Sequence, residues 1–299
     1  MAAAEPGPTD LIVDIHPHVI SDDDDAYPKR PLGGVRSKWS EQRPASWPEL
    51  SAAMAAAGVG KAAVVQSSTT YGHDNSYLAD CVDSARDRIT GVASVDFTES
   101  DVLDQIRYWI DDRGLAGLRL FTWGTTMGQT NWLADERTQP AWACVAERGI
   151  PVCVQVSADG LDQLRTVLLR FPDLRIVLDH VAMAEFDDGP PYHDAERVRP
   201  FADFGGVHLK ITSRTLLSGA KSTGGAAGAV AGLVAQFGSQ RIAWGSNWPA
   251  SQGTLATLAA ALHEAVEPLG ATDARNIASA TALALYPALG RGAAAPAPS

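Results

Sequence analysis

LIVDIHPHVI, residues 11–20, sets three consecutive aliphatics before an aspartate and two histidines one residue apart. Side chains of an extended segment alternate between faces, so Asp14, His16 and His18 share one. The stretch reads as a buried strand that delivers three ionisable groups at its end. It also decides between two architectures. An open doubly wound sheet would carry a G-x-G-x-x-G or Walker loop after its first strand, and DIHPHV stands there instead.

Working outward, seven more aliphatic or β-branched runs follow: AAVVQ (62–66), ITGVASV (89–95), LAGLRLF (115–121), PVCVQV (151–156), RIVLDH (175–180), GVHLKI (206–211) and RIAWGS (241–246). Between them lie helical patterns, among them SWPELSAAMAAAG, with Ser46 as cap and Gly58 as stop, SDVLDQIRYWIDDRG, GLDQLRTVLLRFP, AERVRPFADFG and AAGAVAGLVAQFG. Strands alternating with helices imply a parallel sheet with right-handed crossovers, and eight strands close into a single (β/α)₈ barrel. The barrel is expected over residues 11–290. The Ala-, Pro- and Gly-rich ends, 1–10 and 291–299, read as disordered tails.

Barrel chemistry sits at the C-terminal ends of the strands. There the sequence places Asp14, His16 and His18 (strand one), Gln66 and Ser67 (two), Asp96 (three), Arg119 (four), Gln155 (five), Asp179 and His180 (six), Lys210 (seven) and Asn247 (after eight). Imidazoles from His16 and His18 on one face can bind a divalent ion, with His180 as a further ligand or as a donor to a carbonyl oxygen. Arg119, Lys210 and Arg214 suit an acidic small molecule, because a guanidinium grips a carboxylate with two parallel hydrogen bonds. Arg119 could instead pair internally with Asp96 or Asp14. Tyr71, His73 and Trp123, on loops after strands two and four, could cover a planar ring, and Trp248 shapes the pocket floor. Gln155 faces the same mouth. The long segment from Ser21 to Pro48 is expected to form a pocket wall or lid.

Composition narrows the partners. A formal net charge of −11 argues against a nucleic-acid partner, which normally requires a basic surface. Cys81, Cys144 and Cys153 are spread singly and suggest neither disulfides nor a cysteine zinc site. With no signal peptide and no apolar run of about 18 residues, the expectation is a soluble cytoplasmic protein without a membrane partner. Homo-oligomer formation stays open.

DIHPH (14–18), LDH (178–180) and AWGSNWP (243–249) resemble the amidohydrolase superfamily, specifically its amidohydrolase-related (amidohydrolase 2) branch. Within it, YGHDNSYLAD (71–80), GLRLF (117–121) and RFPDLRIVLDH (170–180) look most like the lactonases of sugar lactones and of 2-pyrone-4,6-dicarboxylate. The resemblance implies a hydrolase of a cyclic ester, or of a comparable C–O or C–N bond. In it His16, His18 and His180 polarise the carbonyl, alone or through Zn²⁺ or Mn²⁺. The branch also supports decarboxylases of aromatic or unsaturated acids, and a non-catalytic ligand-binding barrel is a further alternative.

Two departures from the family pattern stand out. Strand five ends in VCVQVSADG, without the histidine that metal-dependent relatives often supply, and Asn247 replaces the family's aspartate after strand eight. An amide cannot take a proton from water at neutral pH. Three readings follow: an introduced Asp→Asn change that blocks turnover, another base drawn from His180, His73 and Asp14, or a protein that binds or rearranges its ligand without hydrolysis.

Overall fold

The structure, a computed structural model, describes residues 11–124 and 131–290. Both expected tails lie outside the described residues. Eight parallel strands run β1 (Ile12–Asp14), β2 (Val59–Val65), β3 (Ile89–Ser94), β4 (Gly117–Phe121), β5 (Val152–Gln155), β6 (Ile176–Leu178), β7 (Val207–Ile211) and β8 (Ile242–Trp244). Each pairs with the next in chain order. Ile15 N donates to Trp244 O at 3.1 Å, which joins the last strand to the first. The expected (β/α)₈ barrel is therefore the fold, with every sequence-assigned strand in place.

Local chemistry explains the helices that frame it. Helix Trp47–Ala57 begins with a capping box in which Ser46 N donates to Glu49 Oε2 at 2.7 Å, and it stops at Gly58, whose φ of 69° suits glycine. Such a cap is worth about 1 kcal/mol. AERVRPFADFG departs from its helical reading: Ala195–Asp203 is 3₁₀. Pro200 lies inside it, and proline lacks the N–H and crowds the turn that an α-helix needs. Helices Ser213–Gly219 and Leu255–Val266 were not among the sequence-assigned ones.

Two cores result. The larger fills the space between sheet and helices; the smaller lies inside the ring. Val13, Ala63, Val65, Val92, Cys153, Val177 and Ala243 form the interior, which Ala282, Leu285, Tyr286 and Leu289 of the C-terminal segment stopper. The opposite end is left for polar groups.

Candidate active site

β1 ends at Asp14, before the alternation through His16 and His18 is complete. Asp14 does not face a cavity. It is fully buried, and its Oδ1 accepts from His16 N (2.9 Å) and Ser246 N (2.8 Å), tying β1 to the segment after β8. Burial raises its pKa to about 6, against the lowering effect of the Ser246 and His16 donors. As a candidate base Asp14 is therefore set aside, because two backbone N–H groups already hold it behind His16. Gly245 lets the chain pass here, since a Cβ would run into that of His16.

The three imidazoles expected to meet do so. The His16 ring centroid lies 4.9 Å from that of His18 and 4.9 Å from that of His180. His180 reaches this point from an unusual backbone: His180, Val181, Ala182 and Met183 have φ of 54°, 54°, 50° and 62°. A left-handed turn costs roughly 1–2 kcal/mol per non-glycine residue, and strain of this kind concentrates at functional sites. Asn247 has φ 55°, a conformation that asparagine and aspartate tolerate best among side-chain-bearing residues. Either residue fits that turn.

Each imidazole is fixed through Nδ1. His18 donates from Nδ1 to Val65 O (2.9 Å), which leaves a lone pair on Nε2, and Asn247 Oδ1, also an acceptor, lies 3.3 Å from it. His180 Nδ1 lies 2.9 Å from Thr212 Oγ1. Thr212 has a hydroxyl proton to donate to Nδ1, and the His180 tautomer that accepts it carries its ring proton on Nε2. His16 Nδ1 lies 2.8 Å from Lys210 Nζ, which also meets Asp179 Oδ1 at 2.7 Å. The His16 Nε2 is buried and has no partner.

Burial holds all three rings neutral. It drives His18 to about 3 and His180 to about 4, and it carries His16 well below 6.5, with Lys210 and Arg119 adding to that effect. Asp179 runs the other way: burial would raise it, but Lys210 and then Arg119 hold the carboxylate charged, below the usual range. Arg119 Nε donates to Asp179 Oδ2 at 2.9 Å and its NH2 donates to Gln155 Oε1. Arg119 thus pairs internally, with Asp179 in place of the expected Asp96 or Asp14. Asp96 instead closes its own turn by accepting from Thr98.

A cavity of about 270 Å³ opens above the rings. Its wall takes in His18, His180, Asn247, Arg119, Gln155, Trp123 and Arg214 from the residues singled out in the sequence, with Arg214 paired to Glu185. Five others lie elsewhere, and of these His16 is fully buried and off the wall. Tyr71 is buried, and its hydroxyl accepts from Ser21 N. Lys210 sits beneath the rings, fully buried, and also reaches Cys153 Sγ at 3.3 Å. Trp248 packs against the outer core. His73 lines a separate outer cavity.

Sequence reasoning missed Trp39, which stacks on His18 at 5.3 Å between centroids and lines the cavity with Ser37. The expectation that residues 21–48 wall the pocket was the available signal. It also missed Ser68 and Thr69 on the same wall. Serine and threonine carry no pattern that separates a pocket hydroxyl from a turn.

A metal-ligating imidazole gives its other N–H to an acceptor, so that the ligating nitrogen keeps its lone pair. His18 satisfies that condition through Val65. His16 does not, since an ammonium only donates: Nδ1 accepts and the proton sits on Nε2. Among the described residues no three His, Cys, Asp or Glu are placed to hold a metal ion. The expected ligand set of His16, His18 and His180 is a poor fit for Zn²⁺ or Mn²⁺.

With this geometry in view, the relatives are informative. The family model described as Amidohydrolase matches residues 13–288. An L-fucono-1,5-lactonase from Burkholderia ambifaria is 25% identical over 243 residues, covering 80% of this chain and 81% of that protein. A Pseudomonas putida structure assigned as a 2-pyrone-4,6-dicarboxylic acid hydrolase superposes with TM-score 0.76 at 21% identity, covering 93% of this chain and 97% of that one. An amidohydrolase from Burkholderia multivorans with bound zinc gives 0.73 at 19%, covering 93% and 99%. No helix among the described residues is long and apolar enough to cross a membrane. From the family model's span, and from a barrel whose first, sixth and eighth strands end in the matching motifs, the chain belongs to the amidohydrolase family and is an enzyme of it.

Proposed function

We propose that the enzyme is a lactonase, opening a small cyclic ester by attack of water on its carbonyl. The observation that carries this reading is the meeting of the buried His16 with His18 and His180, which line one cavity with Asn247. His16 and His180 present Nε2–H donors, and neutral imidazole N–H groups in a dry site stabilise an oxyanion as it develops. The left-handed turn after β6 and the Lys210 contact fix where those donors aim. His18 Nε2 and Asn247 Oδ1, 3.3 Å apart, then both accept from the attacking water, one from each of its O–H groups. With its pKa near 3, His18 orients that water and is too weak a base to take its proton.

Charge bounds the substrate. The two guanidiniums on the wall, Arg119 and Arg214, each already hold a carboxylate, Asp179 and Glu185. A neutral or singly charged lactone suits that balance better than a dianion. Trp39, Phe121 and Trp123 supply flat apolar walls, and Ser37, Ser68 and Thr69 supply hydroxyls. A decarboxylase of an aromatic acid would need a firmly held metal, which this donor set does not suit.

Initial rates on a panel of five- and six-membered lactones test the reading, for the wild type and for Asn247→Asp. Turnover by the wild type that His180→Asn lowers by about 10²-fold or more is the expected outcome. Failure of both wild type and Asn247→Asp on every lactone overturns it.

A further inference from the structure

Asn247 leaves the proposed hydrolysis without a base, and a chain of side chains that reaches the same cavity answers that need. Ser68, one turn beyond the Val65 carbonyl that fixes His18, lines the histidine cavity and is buried. Its Oγ donates to Ser94 Oγ at 3.1 Å. Ser94 Oγ in turn lies 3.0 Å from His73 Nδ1, and the His73 tautomer with its proton on Nε2 accepts the Ser94 proton there. In that tautomer the donors of the chain point away from the cavity and toward the imidazole. His73 lines the second cavity, outside the barrel wall, beside Asp74, Asp101, Asp104 and Tyr108.

We propose that Ser68, Ser94 and His73 form a proton relay between the two cavities, carrying off the proton that Asn247 cannot accept. The inference rests on the lactonase reading. As the water oxygen bonds to the carbonyl carbon, its O–H bond breaks and the proton passes to Ser68 Oγ. The Ser68 proton moves to Ser94 Oγ, and the Ser94 proton to His73 Nδ1. Collapse of the adduct breaks the ring C–O bond, whose electron pair leaves with the ring oxygen, and the proton returned along the chain completes the alcohol. A hydroxy acid results, with atoms and electrons balanced.

The scaffold is built to hold this chain. Asn75 donates through Nδ2 to Ser94 O (3.0 Å) and His73 O (2.9 Å), while its Oδ1 accepts from Ser94 N (2.7 Å). One asparagine thus locks both relay residues by their backbones. Desolvation lowers the His73 pKa and favours the neutral ring, while Asp96, Glu99 and a ring contact with the Ser94 backbone carbonyl oppose it and favour the imidazolium that forms. A ring balanced in this way both takes and returns a proton.

The test compares wild type, His73→Gln, Ser94→Ala and His73→Ala on the lactone that the wild type turns over best, across pH 5 to 9. A general base is worth about 10²–10⁴-fold, so kcat drops by about 10²-fold in His73→Gln and Ser94→Ala while KM stays put. The acid limb of the wild-type profile disappears in His73→Gln. Imidazole, entering from the outer cavity, restores kcat to His73→Ala, which a merely structural role for His73 would not produce. Unchanged kcat in both His73 variants, or a loss in His73→Ala that imidazole leaves untouched, overturns the relay. If Ser94→Ala fails to fold, the His73 pair decides. Should the wild type open no lactone, the lactonase reading falls; ¹⁵N shifts of His73 then judge the chain itself, an unprotonated Nδ1 supporting it and a protonated one refuting it.

Discussion

The two ends of the barrel bury their interiors by opposite means. At the N-terminal end Leu285, Tyr286 and Leu289 stopper the ring against Val92 and Val177, and Tyr286 Oη lies 3.4 Å from Cys153 Sγ. At the C-terminal end Lys210, Asp179, Arg119, Asp14 and three histidines are packed nearly as tightly, and His16 Nε2 and Asp14 Oδ2 remain without partners. Native proteins satisfy almost all such atoms. Thr90 Oγ1, near the start of β3, also lacks a partner, so the contrast lies in charge: ion pairs and imidazoles at one end, an apolar seal at the other, distinguish a site kept ready for a ligand from a surface closed for stability.

The largest effect that would break this comparison comes from the buried ion network. Asp179→Asn leaves Lys210 and Arg119 facing each other without their shared carboxylate. Stability in urea should fall by about 3–5 kcal/mol, with lactone turnover lost in the protein that remains folded. A loss under 1 kcal/mol would mean that the network is solvated. At the other end Leu285→Ala should cost about 2–5 kcal/mol through the cavity it leaves, yet kcat of the folded enzyme should be unchanged. An equal loss of kcat would contradict the division between the ends.

A smaller effect is graded by pH. His16, His18 and His180 lie below 6.5 in the folded state, so on acidification the unfolded chain takes up protons first. Their contribution to stability is complete above about 6.5 and is lost as pH falls toward about 4 for His180 and about 3 for His18, at up to about 1.4 kcal/mol per pH unit for each. Asp14, raised to about 6, works against this: its contribution is present at low pH and lost as pH rises from about 4 through 6. Urea midpoints between pH 7 and 4 should show a net decline, and a rise would reverse the assignment. Removal of metal is the smallest effect expected. Because Lys210 occupies His16 Nδ1 as a donor, dialysis against a chelator should leave lactone turnover within twofold, and loss restored by Zn²⁺ would contradict that tautomer.

How much of this was legible in the sequence follows from the range of the interactions. Each strand is an aliphatic run closed by a polar residue or glycine, and helix 47–57 announces itself by Ser46, Glu49 and Gly58, all local signals. The convergence of His16 with His180 could be inferred because strand ends of a barrel share one mouth. The left-handed turn at 180–183 could not: none of its residues is glycine, so nothing in the chain marks the positive φ. Nor could the partner of Arg119, sixty positions away at Asp179, or the Ser68–Ser94 contact, since such pairings depend on register and packing and leave no periodicity behind.

The central claim is that His16 and His180 offer N–H donors to a lactone carbonyl. A crystal structure with a bound, slowly hydrolysed lactone or its lactam analogue tests it most directly. The carbonyl oxygen is predicted within about 3 Å of both Nε2 atoms, with Lys210 still on His16 Nδ1. A carbonyl turned instead toward Arg119, or a divalent ion ligated by His16 Nε2, would contradict it.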